Sequence, residues 1–553
     1  MKKYIGLFLA LALAFAALPA SAAPAPDLTF AVASDLHYNL PEESLTQLTD
    51  DPVFGYANRR AAMENESGFI IDAFLADCAA KKADCVLLSG DLADNGRSLP
   101  EEHYAVRDKL LAFEQAAGIE VYVINGNHDL GAGSKTDIAD FKEIYKDLGY
   151  DHALSARAED CSYTADLGAK YRLIALDSCD PTVSTEDGMS AAKIAWVLKE
   201  AKAAKAAGRA TILMMHHNLL EHLPAQRIIS HNFIVRAHNT TAELFADAGI
   251  RVVLTGHEHC SDAAAFTSAA GNELYDFATT SLTMYPLAYR LFCCTDEKIS
   301  YTAQNIEKID TAALSAAVRG YTPRQLELME ADLNAYAKRF LKKGVQYRLT
   351  LQLDAEKSGL KQGGALYNLL DTVYGKLREL LEMPLYGPGS AAEVAASYHI
   401  ELPVTPYETG WDLATEFVAA HYEGSESFDL RGPEITALLR LASVVLKYVP
   451  DGAVNSLLAD APDWLASALT LAPVKEACRS AFGGVTPGEV FVAALVSDLV
   501  YGFTSDTDID DNNGAIPGYG QTDRAAALGN KFKAFVQKLI TVLKNFIAVL
   551  TRR

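Results

Sequence analysis

The chain has 553 residues, 50% of them hydrophobic and 22% charged, enough apolar material for two to four domains at about 150 residues each and too much for wholesale disorder. Lys and Arg number 49 against 71 Asp and Glu, a formal charge of −22. That balance excludes a general nucleic-acid or anionic-membrane binder, which needs a basic footprint.

Lys2 and Lys3 precede an apolar run from Tyr4 to Leu18, and Ala20-Ser21-Ala22 supplies small residues for cleavage. This layout predicts a signal peptide over residues 1–22 and an exported, soluble mature chain. The run is short for a bilayer span, and no Cys follows the cleavage site to carry a lipid. Eight Cys remain, too sparse for a disulfide scaffold and without zinc-finger spacing. Cys161 and Cys179 flank two β-like runs, so a cross-strand bridge and two buried thiols are both open readings.

From residue 27 to 308, short apolar runs alternate with helical patterns. Strands are expected at Leu28–Ser34, Asp84–Ser89, Glu120–Asn125, Tyr171–Asp177, Ala210–His216 and Ile250–Thr255. Their near-continuous apolar character fits strands covered on both faces. Helices are expected at Phe69–Lys81, Glu102–Ala117 and Ala191–Ala207. Leu274–Thr280, Leu287–Cys294 and Ile299–Ala303 read as further strands closing a second sheet. The alternation predicts an α/β domain with its chemistry on loops at strand ends.

Residues 309–553 change texture and predict an all-helical domain with no internal repeat. Thr322-Pro323 opens an amphipathic helix carrying Leu326, Met329, Leu333, Tyr336 and Phe340. Similar patterns recur at Leu366–Leu381, Trp411–His421, Ile435–Tyr448 and Trp464–Leu471, and Thr486 to Glu489 forms a capping box. The acidic stretch Asp506–Asn513 lacks the Gly and terminal Glu of a calcium loop and reads as a solvated loop. From Arg524 to Arg553 there is no acidic residue, and Phe532, Phe535, Leu539, Leu543, Phe546 and Leu550 fall at helical spacing. Lys538 and Lys544 interrupt that stretch, so it does not read as a membrane span. Docking on the helical domain is the favoured use of this helix. The alternative is peripheral contact with an anionic envelope surface or membrane.

Five segments in the first region end a predicted strand and offer oxygen or imidazole donors. They are Asp35-Leu36-His37, Gly90-Asp91-Leu92-Ala93-Asp94, Gly126-Asn127-His128-Asp129, His216-His217 and Gly256-His257-Glu258-His259. Singly each is an ordinary turn or polar loop. Five in succession, each at a strand end and in one order, are more than accident supplies.

This ordered series resembles the calcineurin-like metallophosphoesterase superfamily, over roughly Leu28 to Ala303. The resemblance implies a four-layer α/β/β/α sandwich with two metal ions at the strand ends. It places one metal on Asp35, His37, Asp91 and His259, and the second on Asp91, Asn127, His216 and His257, with Asp91 bridging. The implied ligands include no thiolate and are suited to Mn, Fe or Zn. A bridging hydroxide would attack a phosphate ester, His128 would serve the leaving group, and Asp94 would orient the His128 ring. Asp129 would hold its loop, His217 would back the ligands or touch substrate, and Glu258 would face solvent. Two departures stand out: Asn218 replaces the Pro that follows the His pair in many members, and Asp94 stands where purple acid phosphatases carry Tyr. The motif forms are most similar to those of class III cyclic nucleotide phosphodiesterases, which favours a phosphodiester. A phosphomonoesterase, a nucleotidase and a non-catalytic scaffold are the alternatives. Residues 39–67 form an insertion in which Arg59 and Arg60 are either phosphate contacts or surface arginines.

Overall fold

The computed structural model describes residues 27–45, 60–183, 186–222, 226, 231–358, 361–425, 428–429, 432–448 and 509–520. The expected signal peptide, the Trp464–Leu471 and Thr486–Tyr501 helices and the basic helix from Arg524 lie outside these residues. No helix among the described residues is long and apolar enough to cross a membrane.

The strands are β1 (Leu28–Ala33), β2 (Cys85–Leu88), β3 (Glu120–Val123), β4 (Ser155–Ala156), β5 (Tyr163–Leu167), β6 (Tyr171–Leu176), β7 (Ala210–Met215), β8 (Val252–Thr255), β9 (Asp262–Thr267), β10 (Glu273–Ala278), β11 (Ala288–Cys294), β12 (Lys298–Asn305) and β13 (Asn513–Pro517). They form a six-stranded sheet ordered β13-β12-β11-β1-β2-β3 and a seven-stranded sheet ordered β4-β5-β6-β7-β8-β10-β9. The predicted third group of strands therefore divides. Leu274–Thr280 enters the second sheet, but Leu287–Cys294 and Ile299–Ala303 extend the first, with Phe292 opposite Phe30. Apolar patterning marks a strand without naming its neighbour.

Side chains alternate across the second sheet. Leu173, Ala175, Ile212, Met214, Val252 and Leu254 join the core between the sheets. Their neighbours Ile174, Leu176, Leu213, Met215 and Val253 face the opposite way, against Val197, Ala201, Ala242 and Phe245. These last four belong to helices α4 (Ala191–Ala206) and α5 (His238–Asp247). Helices α1 (Ser67–Ala80) and α2 (Pro100–Ala117) lie against the first sheet, and α3 (Ile138–Ile144) packs beside α2. The result is the four-layer α/β/β/α arrangement.

The helical region begins with α6 (Thr311–Ala317), α7 (Pro323–Ala331) and α8 (Leu333–Gln352). Leu314, Met329, Leu333, Tyr336 and Phe340 from these helices belong to the core of the sandwich, so that core runs past the expected boundary at 308. A separate core forms among α9 (Ala365–Glu382), α10 (Ala391–Ser397), α11 (Gly410–Glu423) and α12 (Pro433–Leu446), around Leu380, Leu413, Phe417, Ile435 and Leu441.

The C-terminal half is not purely helical. Strand β13 pairs antiparallel with β12, Tyr301 opposite Gly514. The acidic stretch before it is not wholly solvated either, because Asp511 is buried and its carboxylate accepts from Ala263 N at 2.9 Å. Arg290, fully buried on β11, donates to the Asp511 carbonyl, to Ser261 Oγ at 3.0 Å and to the Ala278 carbonyl at 2.9 Å. This one guanidinium fastens both sheets and the returning C-terminal segment. The seven described cysteines are free, so no bridge joins Cys161 and Cys179, both of which are buried.

Candidate metal centre

The donor loops leave the C-terminal ends of β1, β2 and β3 in one sheet and β7 and β8 in the other. These strands run parallel within each sheet, so their ends converge on one edge of the sandwich. Among the described residues, five of the nine non-glycine residues with positive φ are Asp35, His37, Asp91, His257 and His259, at φ between 40° and 69°. Such conformations are costly for side-chain-bearing residues, and their concentration here marks a site that the surrounding fold holds in place. The loops also touch closely. A β-carbon on Gly126 would strike the Asp91 carboxylate, and one on Gly256 would strike Ser34 Oγ.

Each buried carboxylate is pinned by one oxygen. Asp35 Oδ2 accepts from Ser34 Oγ at 2.5 Å and His257 N at 2.8 Å, and Asp91 Oδ1 accepts from His128 N at 2.8 Å. The other oxygens, Asp35 Oδ1 and Asp91 Oδ2, point inward and accept no well-directed hydrogen bond. Asp35 Oδ1 lies 3.2 Å from His259 Nε2 and 3.8 Å from His37 Nε2. Asp91 Oδ2 lies 3.8 Å from His37 Nε2 and 3.4 Å from His216 Nε2, between the two halves of the site.

The imidazoles are oriented from behind. His216 Nδ1 lies 3.0 Å from the Ser89 carbonyl and donates to it, which turns Nε2 toward the site. That nitrogen faces Asn127 Oδ1 at 3.1 Å. His37 Nδ1 lies 3.0 Å from Asp94 Oδ1, and its Nε2 is 3.0 Å from His259 Nε2. Buried carboxylate oxygens without a well-directed donor, ringed by imidazole nitrogens, are a setting that cations would fit. Three groups, Asp35-His37-His259, Asp91-His216-His257 and His37-Asp94-His128, each bring their donor atoms within 4.8 Å of one another. Asn127 completes the second of these. All seven sequence-predicted ligand positions are thus brought together, and the donor set fits two first-row transition metals.

Electrostatics agree with this arrangement. Burial raises the Asp35 carboxyl, but His259 and His216 outweigh it and hold it well below the usual carboxylate range. Burial lowers His216, yet Asp91 and Asp35 bring it up to about 9. Burial and Arg60 press His37 down to about 4, and burial and His216 press His257 down to about 3. Both are therefore neutral imidazoles, the form that ligates metals.

The structure revises several roles. The Asp94 carboxylate faces His37 and Arg60 and lies 4.0 Å from His128 Nδ1, whereas the Asp94 main-chain carbonyl accepts from that nitrogen at 2.8 Å. Backbone, not side chain, orients the His128 ring, a distinction that residue spacing does not carry. His217 is fully buried, with Nδ1 2.9 Å from Ser178 Oγ, and so does not reach substrate. Glu258 does not simply face solvent, because Gln226 donates to it. Asp129 holds its loop by accepting from Ala93 N at 3.0 Å and Gly126 N at 2.7 Å. Asn218, in the place of the Pro, donates to Thr255 Oγ1 at 3.0 Å and ties the loop to the end of β8. Phe233, whose ring lies 4.6 Å from that of His257, had no signal in the sequence.

Behind the site, His222 is buried between Asp262 (2.6 Å from Nδ1) and Asp276 (3.3 Å from Nε2). Burial lowers its pKa, but the two carboxylates outweigh burial and hold it well above the ordinary value. A raised folded-state pKa stabilises fully below the unfolded value near 6.5, and that stability is lost as pH rises through the folded value. His222→Gln is expected to lower stability at neutral pH by about 3–5 kcal/mol, the cost of breaking a buried pair. The wild type should lose melting temperature between pH 7 and 10 more steeply than the variant. Parallel profiles would show that His222 is neutral in the fold.

Residues 28–261 match the family described as Calcineurin-like phosphoesterase. The match spans under half of the chain, and within it the α/β/β/α fold places at its strand ends residues that could hold metal ions. The chain is 37% identical over 116 residues to the uncharacterized metallophosphoesterase YhaO of Bacillus subtilis (strain 168), a match spanning 20% of this chain and 26% of that protein. Among solved structures, a dimetal phosphatase from Danio rerio aligns at 12% identity and a TM-score of 0.39, over 51% of this chain and 97% of its own. The Plasmodium protein GAP50, described as the anchor in the inner membrane complex, aligns at 10% identity and a TM-score of 0.31, over 51% and 86%.

Proposed function

We propose that the protein is an exported phosphoesterase that hydrolyses a phosphate ester, with a phosphodiester favoured, at a centre of two transition metals. The observation that carries this reading is the pair of buried, inward-facing oxygens, Asp35 Oδ1 and Asp91 Oδ2, framed by imidazole nitrogens. Asp35, His37, Asp91 and His259 would hold one ion, and Asp91, Asn127, His216 and His257 the other. Metals bound there lower the pKa of water and neutralise phosphoryl oxygens. The chain's own groups hold the ligands in register and exclude competing donors. His128 is the proposed acid: its Nδ1 is occupied by the Asp94 carbonyl, which leaves Nε2 for a leaving-group oxygen, and its side chain is 36% exposed.

The forms of the first and third motifs support a diester, and the N-terminal apolar run supports export. The basic helix from Arg524 is the proposed point of any envelope contact. A panel of mono- and diester phosphates, assayed with Mn-, Fe- and Zn-loaded protein, tests the reading. Metal-dependent cleavage of diesters above monoesters is expected. Faster monoester cleavage would shift the substrate class, and two bound metals without any hydrolysis would favour a scaffold.

A further inference from the structure

The insertion after the first motif returns to the site at residues 60–66. Ala61, Ala62 and Met63 are buried, and Met63 N donates to the Thr283 carbonyl at 2.9 Å. The same loop after β10 carries Ser281, whose hydroxyl donates to the Asp35 carbonyl at 2.7 Å. The root of Arg60 is therefore anchored against the segment that supports a proposed ligand. Its guanidinium pairs with Asp94 Oδ1 through Nη1, and Nη2 lies 3.0 Å from His37 Nδ1. That same carboxylate oxygen lies 4.0 Å from His128 Nδ1. Arg60 thus reaches the proposed metal ligand His37 directly and the neighbourhood of the proposed acid His128 through Asp94, the two rings lying 4.9 Å apart. A third of its side chain, 34%, is exposed, against 5% for Asp94.

Resting on the function proposed above, we propose that Arg60 is a substrate contact that donates to a phosphoryl oxygen on the leaving-group side, beside His128. A guanidinium carries five N–H donors, so pairing with Asp94 does not exclude a second oxyanion. A phosphate held by the metals keeps negative charge on its outer oxygens, which a fixed positive charge on the side away from the metals would meet. A donor already in position where charge develops on the departing oxygen requires no rearrangement during reaction. The alternative is a positioning residue that acts only through Asp94 and His37 on the first metal.

Calorimetric titration of Mn-loaded protein with inorganic phosphate, alongside titration of the metal-free protein with Mn, separates the two. Arg60→Gln should weaken phosphate binding and raise KM by about 10–100-fold, the loss of a charge-assisted hydrogen bond. Arg60→Lys, which keeps the charge without the fork, should fall between. Both variants should bind two Mn per chain within about twofold of wild-type affinity. Unchanged phosphate affinity, or a loss of Mn affinity as large as the loss of phosphate affinity, would overturn the contact. If the wild-type protein takes up no Mn, the metal-centre reading itself fails, and the Arg60 assignment falls with it.

Discussion

Replacing Asp91 by Ala is expected to remove both metals together and to lower kcat/KM by about 10³-fold or more. The carboxylate is buried with Oδ1 fixed by His128 N, while Oδ2 sits 3.8 Å from His37 Nε2 on one side and 3.4 Å from His216 Nε2 on the other. It is the one side chain proposed for both metals, so its loss should be felt twice. A metal supplies several kcal/mol of transition-state stabilisation, and each ~1.4 kcal/mol is tenfold in rate. Metal content gives the first readout and thermal melting the second. Mn should raise the wild-type melting temperature, because a ligand that binds only the native state stabilises it, and should leave the variant unchanged. Two metals per chain with full activity in Asp91→Ala would sink the bridging assignment.

His128→Ala should behave differently, falling about 10²–10⁴-fold in kcat while staying fully metal-loaded. The ring lies outside the two proposed ligand groups, with Nδ1 held by the Asp94 carbonyl at 2.8 Å and the side chain 36% exposed. If it protonates the leaving oxygen, the defect must shrink for activated aryl esters, whose alkoxides depart without help. A uniform defect across leaving groups would make His128 a structural or charge-stabilising residue. Its backbone N–H remains on Asp91 in the variant, so loss of metal is not expected.

Residue chemistry in sequence order singled out the side chains that the fold gathers. Asp35, His37, Asp91, Asn127, His216, His257 and His259 each follow an apolar run, and their succession at five strand ends, not any one of them, pointed to a shared site. The strand cores were legible for the same local reason: Leu28–Ala33 and Ala210–Met215 are buried on both faces and read as continuous apolar runs. Pairing was not legible. Strands β11 and β12 joined the first sheet, and β13 came back across more than 200 residues to Tyr301, because register depends on a partner that local pattern does not identify. The boundary at 308 moved for a related reason. The amphipathic face of Met329, Tyr336 and Phe340 shows that a helix must bury that side, not which core receives it.

Within the site, tertiary structure decided which atom of a residue acts. Asp94 was recognisable as a partner of the histidines, but its carboxylate went to His37 and Arg60 and only its carbonyl to His128. Arg60 was visible as an arginine in an insertion. Its place beside Asp94 depends on the seating of Ala61, Ala62 and Met63 in the core. The candidate donors are therefore written locally, in residue type and position after a strand. Hydrogen-bond partnership is set by how distant loops pack, since a bond forms or fails over a few tenths of an ångström.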